Sequence, residues 1–318
     1  MTQKVIVPVN LANAGKDYLV QHGYRLIEVP KTSADIILAK GKAAEGLILM
    51  TDPFPTAVAK QLPELKIVAR HGVGYDNLDP KALAALGIWV TITADANADT
   101  VAETTLAEIL DLSKKLTANS MAMRQGDFTY KQDHLGFDLA GKTLGIMGYG
   151  RIGQRLAKKA SMLDMQIKIY SPNLTHPEYG TAVSRSELLH EADILSLHMP
   201  VNSQTRHSIN AAVFKQMKSS AVLINMARGA LINQLDLVQA LQDKTIAGAA
   251  LDVFDQEPLP LTSPLYRLDN VLLTPHIASN SKECMDCMAV DAAKDVVQVL
   301  SGQQPNWPIN HPIATPLD

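Results

Sequence analysis

The chain has 318 residues, about twice the length of an ordinary single domain, so two domains are the default expectation. Its 29 Lys and Arg against 32 Asp and Glu give a formal net charge of −3, a balance that disfavours a mainly nucleic-acid-binding surface. The 47% apolar content, with prolines scattered singly, belongs to a packed globular protein, and two cysteines three positions apart, Cys284 and Cys287, offer no disulfide framework.

In chain order, short β-branched runs alternate with longer amphipathic stretches, the pattern of an α/β protein with parallel sheets covered by helices. Strands are predicted near Lys4 to Val9, Tyr24 to Val29, Gly46 to Met50 and Lys66 to Arg70, with helices such as Lys16 to His22 and Thr56 to Leu62 between them. A stretch from Asp99 to about Met121 carries Leu106, Ile109, Leu110 and Leu116 without proline or glycine, which predicts one long helix after a boundary near Asp95 to Ala98. A second strand series follows: Lys142 to Met147, Gln166 to Tyr170, Asp193 to Leu197, Ala221 to Asn225, Ile246 to Leu251 and Val271 to Leu273. Six strands suit a dinucleotide fold. The uninterrupted stretch Ser281 to Leu300 is too long for a mere cap, so it is expected to return to the first domain. The expected division is residues 1–98, then a cofactor domain over 99–280, then 281–318 rejoining the first part. The N-terminal run is too short for a secretory signal and no window approaches the roughly 18 apolar residues of a membrane span, so a cytoplasmic location is expected.

Gly148, Gly150 and Gly153 stand at GxGxxG spacing, directly after a predicted strand and before an amphipathic helix. The first permits a tight turn, the second lets backbone approach a pyrophosphate, and the third allows close helix-to-strand packing. The acidic residue expected about 20 positions on, to hold the adenosine ribose, is missing: the next strand ends in Ser171-Pro172-Asn173. No Arg or Lys follows before Gly180 and His176 is the one candidate cation, so NAD and NADP both stay open.

Three segments, each after a predicted strand, carry Arg228, Asp252 with Glu257, and His276. In an open α/β sheet the ligand crevice lies beyond the carboxyl ends of the strands, where these side chains can converge. Together with Gly72-Val-Gly-Tyr-Asp-Asn-Leu-Asp79, Asn97 with Val101-Ala-Glu103, the glycine loop and Ala192 to Pro200, they make the chain resemble the D-isomer-specific 2-hydroxyacid dehydrogenases over nearly its whole length. The resemblance implies two Rossmann-like domains, the outer one built from both chain ends, and a homodimer joined through the cofactor domains. It implies catalytic roles for Arg228, Glu257 and His276 and places the nicotinamide-binding aspartate at Asp252. Implied cofactor contacts are Gly148, Gly150, Arg151, Ile152, Gly153, Ser171, Met199, Pro200, Met226, Ala227, Arg228, Asp252, His276, Ala278 and Ser279. Implied substrate contacts are Arg70, Gly72, Val73, Gly74, Arg228 and His276.

The residue chemistry fits that assignment. Reducing a 2-keto acid needs a hydride at the keto carbon, a proton at its oxygen and a clamp on the carboxylate. Arg228 offers a planar fork of donors, His276 is the residue type that exchanges a proton near neutrality, and the amides of Val73 and Gly74 can face an anion or simply make a tight turn. Met50 ends the strand where phosphoglycerate dehydrogenases carry a basic residue; Arg70 still offers one cation, but the loss weakens the phosphoglycerate reading and puts an unphosphorylated small 2-keto acid such as glyoxylate, hydroxypyruvate or pyruvate on a level with it. Phosphoglycerate itself and a catalytically silent redox regulator are the alternative readings. Cys284-Met-Asp-Cys287 could mark a redox switch or half a zinc site, but two thiols without a nearby histidine read as inert, and no metal is expected.

Overall fold

The computed structural model describes residues 2–312 and divides the chain into two units, Met1–Asn97 with Asn280–Asp318, and Ala98–Ser279. Of the expected domain spans, residues 1 and 313–318 lie outside the described residues.

The split unit begins with β1 (Lys4–Pro8), α1 (Asn13–Gln21), β2 (Arg25–Val29), α2 (Ala34–Lys40), β3 (Gly46–Leu49), α3 (Thr56–Ala59), β4 (Ile67–Arg70), α4 (Pro80–Ala84) and β5 (Trp89–Thr91). Its sheet is wholly parallel in the order β2-β1-β3-β4-β5. β3 and β4 are buried along their whole length, as a strand covered on both faces must be. β5 is three residues long, too short for hydrophobic runs to reveal it from sequence. The start of α4 is fixed by Asp79, whose carboxylate accepts from the Lys81 and Ala82 amides, with Pro80 in the first turn; such a cap is worth about 1 kcal/mol.

The continuous unit holds α5 (Ala98–Lys114), α6 (Leu116–Arg124), β6 (Thr143–Met147), α7 (Arg151–Ser161), β7 (Gln166–Tyr170), β8 (Thr181–Ala182), α8 (Arg185–Glu191), β9 (Ile194–Leu197), α9 (Ala211–Phe214), β10 (Val222–Asn225), α10 (Gln234–Gln242), β11 (Gly248–Leu251) and β12 (Val271–Leu273). Seven parallel strands run β12-β11-β10-β9-β6-β7-β8, one more than expected because the two-residue β8 adds an edge. The order reverses between β6 and β9, which makes their carboxyl ends the switch point where α/β folds take ligands.

The long helix predicted from Asp99 is instead two. Lys115 takes a left-handed conformation at φ 53°, and the reason is a change of partners. The Ser113 carbonyl, which would accept the Thr117 amide in a continuous helix, accepts the Phe137 amide at 2.8 Å. Thr117 N–H turns to the Asp111 carboxylate, also at 2.8 Å. Neither proline nor glycine announces this break.

The chain then enters α11 (Lys282–Leu300), which packs in the split unit against α1, β3 and β4. Small residues make the approach possible: a Cβ on Gly15 would fall 2.6 Å from the Ala289 carbonyl oxygen.

Candidate active site

The glycine loop follows β6, and its three glycines are held for different reasons. Gly148 sits at φ 102°, and a Cβ there would meet the His198 carbonyl oxygen at 2.5 Å. A Cβ on Gly153 would meet the Gly148 carbonyl at 2.3 Å, so this glycine lets α7 close on the strand. Gly150, the residue before α7, has nothing within 4 Å of an added Cβ. Packing therefore explains two glycines and leaves Gly150 facing open space at the N-terminus of an eleven-residue helix, as a pyrophosphate cradle requires. These residues fit a dinucleotide.

The other candidate cofactor residues lie at the same carboxyl edge of the sheet. Arg151 and Ile152 open α7, Ser171 follows β7, and Met199 and Pro200 follow β9. Met226 and Ala227 follow β10, Met226 being buried, while Ala278 and Ser279 close the segment after β12. His176 is exposed in the stretch beyond Ser171.

Arg228, Glu257 and His276 leave the ends of β10, β11 and β12. His276 Nδ1 lies 2.8 Å from Glu257 Oε2, and the Phe254 amide donates to Glu257 Oε1 at 3.0 Å. Burial works to raise the Glu257 carboxyl, but the His276 and Phe254 hydrogen bonds and the charges of His276 and Arg228 outweigh it and hold the group below the usual glutamate range. An ionised carboxylate only accepts, so Nδ1 carries a hydrogen and Nε2 is the nitrogen left to exchange a proton with a ligand.

The backbone supports of these side chains are buried. Asn225 ends β10 fully buried; its side-chain amide donates to the Arg228 carbonyl at 2.9 Å and its Oδ1 accepts the Ala227 amide at 3.1 Å. Arg228 Nη1 donates to the Ala227 carbonyl at 2.7 Å. His276 itself is left-handed at φ 56°, a region rarely adopted by side-chain-bearing residues, and its amide donates to the Asp252 and Thr274 carbonyls.

Asp252 is fully buried and does more than its expected role suggests. Oδ1 accepts from Thr274 Oγ1 and the Ile277 amide, both at 2.7 Å, and Oδ2 accepts from the Ala278 amide at 2.8 Å. It therefore anchors the segment that carries His276, with one lone pair of Oδ2 left for a further donor. Thr274 also reaches Glu108 of α5 at 2.9 Å. Sequence reasoning does not reach Asn225, Thr274 or Glu108. The one signal the sequence offers is an acid, Glu108, beside Leu106, Ile109 and Leu110 in an apolar helical run.

Arg70, Gly72, Val73 and Gly74 belong to the split unit. Arg70 is buried and its guanidinium bonds the His71 carbonyl. Gly72 sits at φ 133°, its amide donating to Thr93 Oγ1 at 3.0 Å. The amides of Val73 and Gly74 find no acceptor among the described residues, so they are available to an anion. The Met50 carbonyl accepts from the Asn77 side-chain amide at 3.2 Å. Cys284 is buried and Cys287 exposed, and burial with the Asp291 charge pushes the Cys287 thiol up, away from the reactive thiolate. Among the described residues no group of three or more His, Cys, Asp or Glu could hold a metal, and no helix is long and apolar enough to cross a membrane.

The chain is similar to known proteins along most of its length. Residues 106–278 match the family model described as D-isomer specific 2-hydroxyacid dehydrogenase, NAD binding domain. The chain is 35% identical to a glyoxylate reductase of Korarchaeum cryptofilum over 290 residues, covering 88% of this chain and 87% of that protein. It is 34% identical to glyoxylate/hydroxypyruvate reductase B of Citrobacter koseri, covering 93% and 94%. A crystal structure of an NADPH-dependent glyoxylate/hydroxypyruvate reductase from Sinorhizobium meliloti, in complex with NADP and malonate, superposes with a TM-score of 0.89 at 28% identity, covering all of both chains. The two alternative readings, phosphoglycerate dehydrogenase and silent regulator, find no support among these relatives.

Proposed function

The chain belongs to the D-isomer-specific 2-hydroxyacid dehydrogenases, NAD(P)-dependent oxidoreductases acting on CH–OH groups, and from that premise we propose that it reduces glyoxylate or hydroxypyruvate to the corresponding hydroxy acid. The observation that carries the reading is the His276–Glu257 pair, set beside Arg228 at the carboxyl edge of the cofactor sheet. Relatives named for these two substrates, and the absence of a cation at Met50, support a small unphosphorylated acid.

The cofactor is NAD or NADP, and when bound it supplies or receives the hydride at its nicotinamide ring. Gly148, Gly150 and Gly153 would hold the pyrophosphate, Ser171 would face the adenosine ribose, and Asp252 would accept from the carboxamide through its remaining lone pair. Arg151, Ile152, Met199, Pro200, Met226, Ala227, Ala278 and Ser279 complete that lining.

In reduction, His276 donates from Nε2 to the keto oxygen while Glu257 keeps Nδ1–H in place; in oxidation, neutral His276 accepts the hydroxyl proton. Arg228 offers its guanidinium fork to the substrate carboxylate and to the oxygen on which charge builds. Arg70, Gly72, Val73 and Gly74 are the carboxylate-binding candidates of the split unit. A panel of 2-keto acids, phosphohydroxypyruvate included, assayed with NADH and NADPH in parallel, tests the substrate reading. Highest kcat/KM on glyoxylate or hydroxypyruvate is expected, and preference for phosphohydroxypyruvate would overturn it.

Exposed apolar side chains on the continuous unit support a homodimer. Leu116, Met121 and Met123 of α6, with Phe128 and Leu135 beyond it, are all more than half exposed. Large exposed apolar side chains within one segment, residues 116–135, suit burial against a second copy. Light scattering on a size-exclusion column is expected to give twice the monomer mass, and a monomer unaffected by Phe128→Asp would remove the proposal.

A further inference from the structure

Thr274 Oγ1 stands between two carboxyl groups, 2.9 Å from Glu108 Oε1 and 2.7 Å from Asp252 Oδ1. A threonine hydroxyl has one hydrogen. Were both acids ionised, one of these contacts would set lone pair against lone pair, so one acid must hold a proton. Asp252 meets backbone donors on both oxygens, the Ile277 and Ala278 amides, which is the environment of an anion. Glu108 has no such support: it is 4% exposed, and its Oε2 has no hydrogen-bond partner among the described residues.

We propose that Glu108 is a neutral positioning residue whose carboxylic acid donates to Thr274, which in turn donates to Asp252, so that the relay holds the segment carrying His276. Glu108 touches neither substrate nor cofactor and acts through Asp252. The surroundings agree. Burial is the main influence and pushes the Glu108 carboxyl up to about 7; the Thr274 hydrogen bond opposes it, and the charges of Asp252 and of Asp111, one turn along α5, add to it. From α7, packed against α5, Arg155 and Lys159 are engaged by Asp99 and Glu103 and bring Glu108 no counter-charge.

The sign of the pH effect follows. The folded chain keeps the Glu108 proton between the ordinary glutamate value of 4.5 and about 7, where the unfolded chain has lost it. The stability tied to that proton is complete below 4.5 and is lost as pH rises through about 7. Once Glu108 ionises, Thr274 faces two anions and its grip on the His276 segment weakens.

The proposal rests on the dehydrogenase reading for the role of His276 but not for the location of the proton, and the test separates the two. Chains labelled with carbon-13 at glutamate carboxyls, wild type against Glu108→Gln and Glu108→Leu, should show one resonance titrating near neutrality that both variants lack. If the resonance lost in the variants titrates in the ordinary glutamate range, the proposal is wrong. In hydroxy-acid oxidation, wild type should lose activity as pH rises through about 7 while Glu108→Gln keeps it. At neutral pH the Gln variant should retain kcat within about twofold, since its amide can donate to Thr274, whereas Leu should lose about tenfold with cofactor affinity unchanged. Superimposed pH profiles for wild type and Glu108→Gln would overturn the positioning role. His276→Ala, run alongside, isolates the other reading: if it stays active the catalytic assignment fails, while the carboxyl titration still reports on Glu108.

Discussion

Gly229 and Phe254 meet backbone to backbone: a Cβ on Gly229 would fall 1.9 Å from the Phe254 carbonyl carbon and 2.1 Å from its oxygen. Gly229 follows Arg228, and the Phe254 amide holds Glu257. The loops after β10 and β11 are thus locked together by the absence of one side chain. Gly229→Ala must push them apart. A displacement near 1 Å is enough to cost about 10²-fold in kcat, and steady-state kinetics with a thermal melt should record that loss together with lower stability. Unchanged kinetics would show that the contact does not set the catalytic geometry.

The Gly150 cradle makes an opposite prediction. Open space at its Cβ position means that Gly150→Ala should melt within about 0.5 kcal/mol of wild type, as surface substitutions do. Its methyl group would nevertheless obstruct a pyrophosphate approaching the helix N-terminus, so nucleotide affinity, followed by fluorescence titration, should fall about tenfold or more. Unaltered affinity would reduce the loop to a plain turn.

His276→Ala should lower kcat by about 10²- to 10⁴-fold, the range for loss of a general acid, while nucleotide binding persists. Arg228→Lys should cost about 10²-fold or more in kcat/KM, because an ammonium cannot replace the guanidinium fork. Near-normal turnover in either variant would displace that residue from the reaction.

The Glu257 carboxyl lies below its ordinary range when folded, so the stability of its pairing is present above the unfolded value and disappears as pH falls through the folded one. The melting-temperature gap between wild type and Glu257→Gln should therefore be level at neutral pH and narrow on acidification. A gap that widens toward acid would contradict the pairing.

Ser171→Asp should shift the ratio of NADH to NADPH efficiency toward NADH, since a carboxylate accepts from ribose hydroxyls and repels a 2′-phosphate. A ratio that stays put would mean that Ser171 does not face the ribose.

Much of this was legible in the sequence because parallel sheets announce themselves through buried runs, and because the strand-ending motifs fall where the topology needs them. Arg228, Glu257 and His276 each sit a few residues past a strand, which makes them candidates, while their roles come from the resemblance to the family. What stayed hidden depends on partners distant in sequence. The break at Lys115 arises because Phe137 and Asp111 take over hydrogen bonds of the helix, and no local residue records that. Glu108 and Thr274 lie 166 positions apart and look, singly, like an oddly placed acid and an ordinary loop threonine. In sequence Asp252 shows only the ligand-binding role that the resemblance implies, whereas its three protein donors exist only with the His276 segment folded around it.

The course of α11 bears on the order in which the molecule can assemble. During synthesis every strand of the cofactor sheet has been made by Leu273, whereas one face of the other sheet, where Val5, Val7, Ile48 and Ile67 pack against Ala289, Ala292 and Val296, lacks its cover until α11 follows. The unit begun first is the unit finished last, and until then a strip of apolar strand surface stays open to solvent, the condition under which nascent chains most need protection from aggregation.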